Sequence, residues 1–292
     1  MGKIILVTGG AGHVGSHVIE ILVQDKSNKV ISLDNYSNGS RDNHIEGAEY
    51  REGDTKDIEK LVPEKPDIVY HLGEYARIAP SFDDIKKVFE SNIMGTLAVL
   101  EFCRKRGVKK LVYAASSTKF AIEGDGRNQN PYSFSKAVNV DLINNYGRWF
   151  NLPYAIVYFY NGYGPREKGE GEYATLIAKF ENAYLKGEPL TVVKPGTQRR
   201  NFTYVKDLAR GIILVGEKGW GDGYTLGSKK SYSVIEIAKA FGGEIKMVDG
   251  YPGRADSGEA PDKARKELGW EATMDVMDYI AEFVKTHPKN SK

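Results

Sequence analysis

Residues 3–15 read KIILVTGGAGHVG, an apolar run that ends in a glycine-rich turn. The run is short, rich in Ile and Val, and bounded by that turn, so it predicts a strand. Beyond the turn, VGSHVIEILVQ carries apolar residues at helical spacing. The glycines can be taken in two ways. Gly9, Gly12 and Gly15 give G-x-x-G-x-x-G, while Gly10, Gly12 and Gly15 give G-x-G-x-x-G. Either set permits a tight turn and lets backbone N–H groups at the helix start approach a pyrophosphate. Alone, such a turn is weak evidence. Here a strand precedes it, a helix follows it, and KVISLD closes a second strand on Asp34, about 20 residues beyond the last glycine. A carboxylate there can accept hydrogen bonds from both adenosine ribose hydroxyls and would repel a 2′-phosphate. The combination predicts dinucleotide binding, with NAD as the cofactor rather than NADP. A capping aspartate in a structural turn explains Asp34 but not the set.

Working outward, AEYREG, DIVYHL, KLVYAAS and YAIVYFY read as further strands, with Val, Ile and Tyr dominant and turn residues at their ends. Long helices are expected near residues 84–106 and 131–150. Strand and helix alternating in this way imply βαβ crossovers and a parallel α/β sheet covered on both faces. After about residue 160 the elements shorten: a helix near 172–186, a strand LTVV, a helix near 206–216. This predicts a dinucleotide-binding domain over 1–160 and a smaller substrate lobe over 161–292, interleaved with the first and packed at the C-terminal ends of the sheet strands, where open α/β folds bind ligands.

Composition narrows the function classes. The 292 residues are 41% hydrophobic and 27% charged, ordinary for a globular chain. Forty-one basic against 39 acidic residues leave a formal charge of +2, which gives no electrostatic case for nucleic acid or a membrane surface. No eighteen-residue apolar run occurs, and the N-terminus lacks the segments of a signal peptide, so the chain reads as cytoplasmic. Cys103, the only cysteine, reads as a buried, inert thiol near a helix end. His13 and His17 share an i,i+4 spacing without an acidic ligand pattern, so no metal site is expected.

Tyr132 and Lys136, in PYSFSK, stand four residues apart at the start of the helix after the fifth strand, on one helical face. An ammonium beside a phenol favours the phenolate. Upstream, KLVYAAS ends in Ser116, Ser117 and Thr118, where a hydroxyl can hydrogen-bond both the tyrosine oxygen and a substrate hydroxyl. Y-x-x-x-K alone is common on surface helices. After a dinucleotide turn, a fifth strand and a hydroxyl cluster, it predicts a catalytic set.

With these blocks, the sequence resembles the extended short-chain dehydrogenase/reductases, in particular the nucleotide-sugar epimerase/dehydratase group typified by UDP-glucose 4-epimerase. TGGAGHVGS, LDNYSNGS, GDTKD, VYHLG, NIMGT, VKKLVYAASST, PYSFSK, YFYNGYGPRE, GTQRRNFTYVKDLA and KARKELGW fall in the family order over nearly the whole chain. The resemblance implies a Rossmann-type doubly wound parallel sheet with a smaller C-terminal α/β substrate lobe. It implies NAD lying along Gly9, Gly12, His13, Val14 and Gly15, then Asp34, Asn35, Ser37, Asn38 and Gly39. Asp54 and Thr55 would meet the adenine; Leu72, Gly73, Glu74, Asn92, Tyr132, Lys136 and Tyr160 would line the rest of the cofactor site, with Lys136 holding the nicotinamide ribose. Catalysis would fall to Ser116, Tyr132 and Lys136. The sugar nucleotide would be held by Ser116, Ser117 and Asn161, with Arg200 and Arg254 clamping its diphosphate. In relatives the two long helices pair across a two-fold axis, so the resemblance implies a homodimer.

Departures from the family pattern bear on the substrate. Phe120 and Ala121 stand where epimerases usually carry Tyr-Gly, and aligning Phe120 with that tyrosine puts Ser116, rather than Ser117 or Thr118, at the catalytic hydroxyl. The 4,6-dehydratases carry Asp-Glu just after that hydroxyl; Ser117 and Thr118 stand there instead, neither able to deliver the proton for water elimination. Glu74 replaces a small residue beside the cofactor, where it reads a sugar hydroxyl or caps a loop. Tyr158 replaces the usual arginine of R-Y-F-N. The expected activity is epimerisation through a transient 4-keto sugar. A 4-dehydrogenase, a 4,6-dehydratase and a non-catalytic NAD sensor or scaffold are the alternatives, and the nucleotide (UDP, dTDP or GDP) is left open.

Overall fold

β1 (Ile4–Thr8) lies inside a parallel sheet because both of its faces are apolar. Ile5 and Val7 enter one buried cluster and Leu6 the other, as the two-residue period of a strand requires. The computed structural model describes residues 2–120, 126–171, 174–250 and 262–287. After β1 the chain forms β2 (Lys29–Asp34), β3 (Ala48–Glu52), β4 (Ile68–His71), β5 (Lys110–Ser116) and β6 (Tyr154–Phe159). Two short strands, β7 (Gly162–Tyr163) and β8 (Leu190–Val193), precede β9 (Arg199–Asn201), β10 (Thr203–Tyr204) and β11 (Gly221–Leu226). β12 (Ser231–Ser233) and β13 (Ile245–Val248) follow.

Seven strands form the main sheet in the order β11-β6-β5-β4-β1-β2-β3, every neighbouring pair parallel. Winding reverses between β1 and β4, so the loops leaving these two strands diverge and open a crevice at their C-terminal ends. β11 is absent from the sequence reading. Gly221 and Gly223, both at left-handed φ, conceal its β pattern, and the strand pairs with β6 from well beyond residue 160.

α1 (His13–Leu22) covers one face of the sheet, after which come the short α2 (Ile58–Leu61) and α3 (Ile85–Phe89). α3 continues through a π-helical turn, Glu90–Met94, into α4 (Gly95–Arg106), so the long helix expected here is divided into three segments. α4 and α5 (Pro131–Phe150) cover the second face with Val99, Leu100, Phe102, Val140 and Ile143. Cys103 is buried in that layer, and burial pushes its thiol pKa upward. α6 (Leu176–Lys186) begins the smaller lobe, while α7 (Val205–Lys218) returns to pack on α1. Leu208, Ile212 and Val215 of α7 share a cluster with Val18 and Ile19 of α1. Each such fully buried aliphatic side chain contributes about 1.5–3 kcal/mol. α8 (Val234–Phe241), α9 (Lys263–Leu268) and α10 (Val276–Thr286) complete the chain. Phe180, Leu190, Ile237, Phe241 and Ile280 close a third cluster inside the smaller lobe. Among the described residues no helix is long and apolar enough to cross a membrane.

Asp207, 3% exposed in α7, holds the segment after α9 in place. Its carboxylate accepts from the backbone N–H of Thr273 (2.7 Å) and Met274 (3.0 Å) and from the Thr273 hydroxyl (2.8 Å). Asp207→Ala is expected to lower stability by about 2–3 kcal/mol, the scale of hydrogen bonds to a charged group. Urea unfolding checks this; an unchanged midpoint would mean that other contacts hold residues 273–274.

Candidate active site

A cavity of about 480 Å³ opens at the C-terminal ends of the sheet strands. Its floor is the glycine turn. Gly9 adopts φ +72°, and a β-carbon there would lie 2.7 Å from Gly73 Cα. One on Gly15 would lie 2.1 Å from the Gly9 carbonyl, so α1 can start this close to β1 only with glycine. Gly12 is different: a β-carbon would meet only the Gly9 carbonyl, at 3.2 Å, and the residue lines the cavity. Gly12 also caps α1 without a side-chain hydrogen bond, which leaves N-terminal amides for an anion. This cradle fits the pyrophosphate of a dinucleotide.

Asp34, 7% exposed, closes β2 against the turn. Its carboxylate accepts from Ala11 N (2.9 Å) and Tyr36 N (2.8 Å) and still lines the cavity. Burial pushes the carboxyl pKa up, while the two amides pull it down. Asn35, Ser37, Asn38 and Gly39 continue the wall along the next loop, and Asn35 Oδ1 accepts from Ser37 N at 3.0 Å. Asp54 caps a 3-10 turn by accepting from Lys56 N, with Thr55 buried beside it, and both line the cavity. Leu72, Gly73, His13, Val14 and Tyr160 do so as well.

α5 begins at Pro131 because Asn130 accepts from Ser133 N at 2.8 Å and proline suits the first helical position. That start puts Tyr132 and Lys136 one turn apart on the cavity wall. Ser116, which also lines the cavity, ends β5, its Oγ accepting from Thr118 Oγ1 at 3.0 Å. Ser117, Thr118 and Asn161 share the cavity, and Asn161 Nδ2 donates to the Asn201 carbonyl at 2.9 Å. Lys136 Nζ donates to the Ala114 carbonyl and lies 4.7 Å from the Tyr113 ring centre. Its ammonium pairs with the Glu74 carboxylate. Glu74 lines the cavity and turns its carboxylate to the lysine.

Two of the expected residues do not line the cavity. Asn92 is fully buried in the π-helical turn, where it bonds both backbone groups of Tyr75 and donates to Ser135 Oγ at 2.9 Å. It clamps the loop after β4 to α5 and does not line the cavity. Arg200, on β9, donates to the Arg199 carbonyl at 2.7 Å and is not a cavity residue either. Arg254 lies outside the described residues, as does Ala121. Tyr158, at the family's arginine position, donates to Asp222 Oδ1 (2.6 Å) beside Lys119. Among the described residues no group of three or more His, Cys, Asp or Glu could hold a metal ion.

The cavity also contains residues that the sequence did not single out. The Glu167 side chain is 4% exposed beside His13, with its Oε1 3.9 Å from His13 Nδ1. Burial lifts the Glu167 carboxyl to about 7, against the pull of the Thr175 hydroxyl and Arg77. Burial, then the neighbouring His17, Arg77 and Arg166 charges, lowers His13 to about 3, so the imidazole is neutral. The only sequence signal for Glu167 is its place in the GPRE block, since the packing that isolates it is tertiary.

A sheet crevice with an anion cradle, an acid at the end of β2 and a phenol and an ammonium on one wall is the equipment of a dinucleotide-dependent enzyme. The chain belongs to the NAD-dependent epimerase/dehydratase family, whose model matches residues 5–227. It is 29% identical to a putative UDP-glucose 4-epimerase of Methanocaldococcus jannaschii, over 99% of each chain. It is 32% identical to UDP-glucuronic acid decarboxylase 6 of Arabidopsis thaliana, over 91% of this chain and 83% of that one. The structure superposes on UDP-glucose 4-epimerase of Thermotoga maritima, solved with UDP-glucose, with a TM-score of 0.90, 27% identity and 97% coverage of both. The fold, the family and the NAD cofactor thus agree with the sequence reading, and relatives of more than one activity match at similar identity.

If Asp34 receives the ribose hydroxyls, the protein binds NAD far more tightly than NADP, and Asp34→Ala narrows the gap. Calorimetric titration with both cofactors checks this. Equal affinities in the unmutated protein would remove Asp34 from that role.

Proposed function

We propose that the chain is a nucleotide-sugar epimerase that works through a transient 4-keto sugar. The observation that carries this reading is the placement of Ser116, Tyr132 and Lys136 around the cavity that the glycine turn and Asp34 also line. Tyr132, as phenolate, takes the proton from a sugar hydroxyl at C4. Ser116 orients that hydroxyl and supports the developing carbonyl oxygen. Lys136 favours the phenolate by its charge. NAD, held along the glycine turn and Asp34, would supply a reversible hydride acceptor for the sugar carbon, with no net change of the cofactor.

Ser117 and Thr118 line the cavity where a dehydratase would need acids, and hydroxyls do not supply the proton for elimination. A dehydrogenase would stop at the ketone. A sensor or scaffold would not need the Tyr132 and Lys136 that this chain keeps. Asn161 is assigned to the sugar nucleotide, and Arg200 and Arg254 to its diphosphate, by the family pattern. The nucleotide-sugar panel includes UDP, dTDP and GDP forms. Exposed Ile85, Met94, Phe134, Trp149 and Phe150 on and between α3 and α5 support a homodimer formed through these helices.

Mass spectrometry and NMR after incubation with that panel test the reading. A product of equal mass and inverted C4 supports the epimerase. Loss of water, loss of carbon dioxide, or lasting reduced cofactor would replace it with a dehydratase, a decarboxylase or a dehydrogenase. No reaction at all would favour a sensor. Tyr132→Phe removes one oxygen, so folding and NAD content survive while turnover falls by about 10²–10⁴-fold. Ser116→Ala costs less, because it orients the hydroxyl without taking its proton. A Tyr132→Phe protein that keeps most of its turnover would end this mechanism. Separately, Arg200→Ala or Arg254→Ala is expected to weaken UDP binding by about 1.5–3 kcal/mol with NAD content unchanged. Titration with UDP reads this directly, and undiminished affinity would leave that arginine a surface charge.

A further inference from the structure

Glu74 follows β4 with its side chain 2% exposed and turned into the protein. Three donors besides Lys136 converge on its carboxylate. Thr96 Oγ1 and Asn139 Nδ2 each lie 2.7 Å from Oε1, and the Tyr113 hydroxyl lies 3.1 Å from both oxygens. Behind Thr96 runs a chain with one direction. Gly73 N–H donates to Thr8 Oγ1 at 3.0 Å, and the Thr8 hydroxyl donates to His71 Nδ1 at 2.7 Å. His71 Nε2 then donates to Thr96 Oγ1 at 3.0 Å, and the Thr96 hydroxyl donates to Glu74. This direction requires a neutral His71, and burial does lower its pKa to about 4. A buried carboxylate with this many donors is fixed in place. It stands directly against the one ammonium that the proposed base relies on.

Resting on the base role proposed for Tyr132, we propose that Glu74 is a positioning residue for the Tyr132–Lys136 pair. It pins the Lys136 ammonium to the cavity wall and offsets part of its positive field at the phenol, so it sets the pH at which the phenolate forms. The sign follows from Coulomb's law. An ammonium near the phenol stabilises the phenolate, and a carboxylate in contact with that ammonium opposes this effect. The other groups facing Glu74 do not change charge in the working range. His71, from β4, is neutral, and burial together with the Glu74 charge keeps Tyr113, from β5, protonated. α4 presents only the Thr96 hydroxyl, and α5 adds Asn139 beside Lys136. A sequence pattern with a small residue at position 74 would leave the lysine without this counter-charge.

Glu74→Gln keeps the shape and one acceptor oxygen but removes the charge. Glu74→Asp keeps the charge and withdraws it from Lys136 by one methylene. The readout is ultraviolet pH titration of the NAD-loaded protein, with the Tyr132 phenolate isolated by subtracting Tyr132→Phe in each background. The phenolate of Glu74→Gln is expected to form about one pH unit lower than in the parent, with Glu74→Asp between them. The rising limb of turnover against pH moves the same way. A purely structural role would lower the melting temperature and leave both titrations in place. If Glu74→Gln does not fold, Glu74→Asp alone decides. A Tyr132 step at the parent's pH in every folded variant that retains NAD would overturn the proposal. Absence of any Tyr132-dependent step in the parent would instead remove the base role, and this proposal with it.

Discussion

Two backbones meet at Gly9 and Gly73 so closely that neither position accepts a β-carbon. The rest of the site depends on that contact. It draws the loop after β1 against the loop after β4 at the point where the winding of the sheet reverses. Had either residue carried a side chain, the loops would part, the cradle at the start of α1 would open, and α5 would face a different wall. Thr8 secures the same junction from below, since its hydroxyl oxygen accepts from Gly73 N–H while its hydrogen goes to His71.

From this junction the polar interior spreads in two directions. Toward β2, Asp34 ties the glycine turn to the loop after the strand with two backbone amides. Toward α5, the Thr8–His71–Thr96 chain ends on Glu74 and hence on Lys136. Buried polar groups are costly unless each donor has an acceptor, and satisfying them rigidifies the surroundings. The cofactor cradle and the phenol–ammonium pair are therefore joined in a single hydrogen-bonded interior, and a change at position 74 is felt at the reacting end of the cavity. Asn92 serves the same end indirectly: its bonds to Tyr75 and Ser135 fasten the loop that carries Glu74 to the helix that carries Lys136.

The first half of the chain was legible because its signals are local. Strands buried on both faces must be continuous apolar runs, a turn passing within 3 Å of another backbone must be glycine, and a helix starting at Pro131 must place residues 132 and 136 on one face. Ordered family blocks added the expectation of a nucleotide-sugar substrate. The second half was less legible. β11 carries two left-handed glycines that interrupt its β pattern, and its place is set by β6 rather than by its own sequence.

By itself, the sequence determined the parallel sheet, the dinucleotide turn, the acid after β2 and the spacing of tyrosine and lysine, because each follows from periodicity or backbone geometry within a few residues. The tertiary structure alone decided which charges meet. Glu74 and Lys136 are 62 residues apart in the chain, and no local rule links them. Whether the acid faced a sugar, a loop or the lysine depended on how β4, β5, α4 and α5 pack. The same packing buried the Glu167 side chain beside His13. Electrostatic partners at long sequence separation are chosen by burial, which removes water as the competing partner, and burial is a property of the assembled fold.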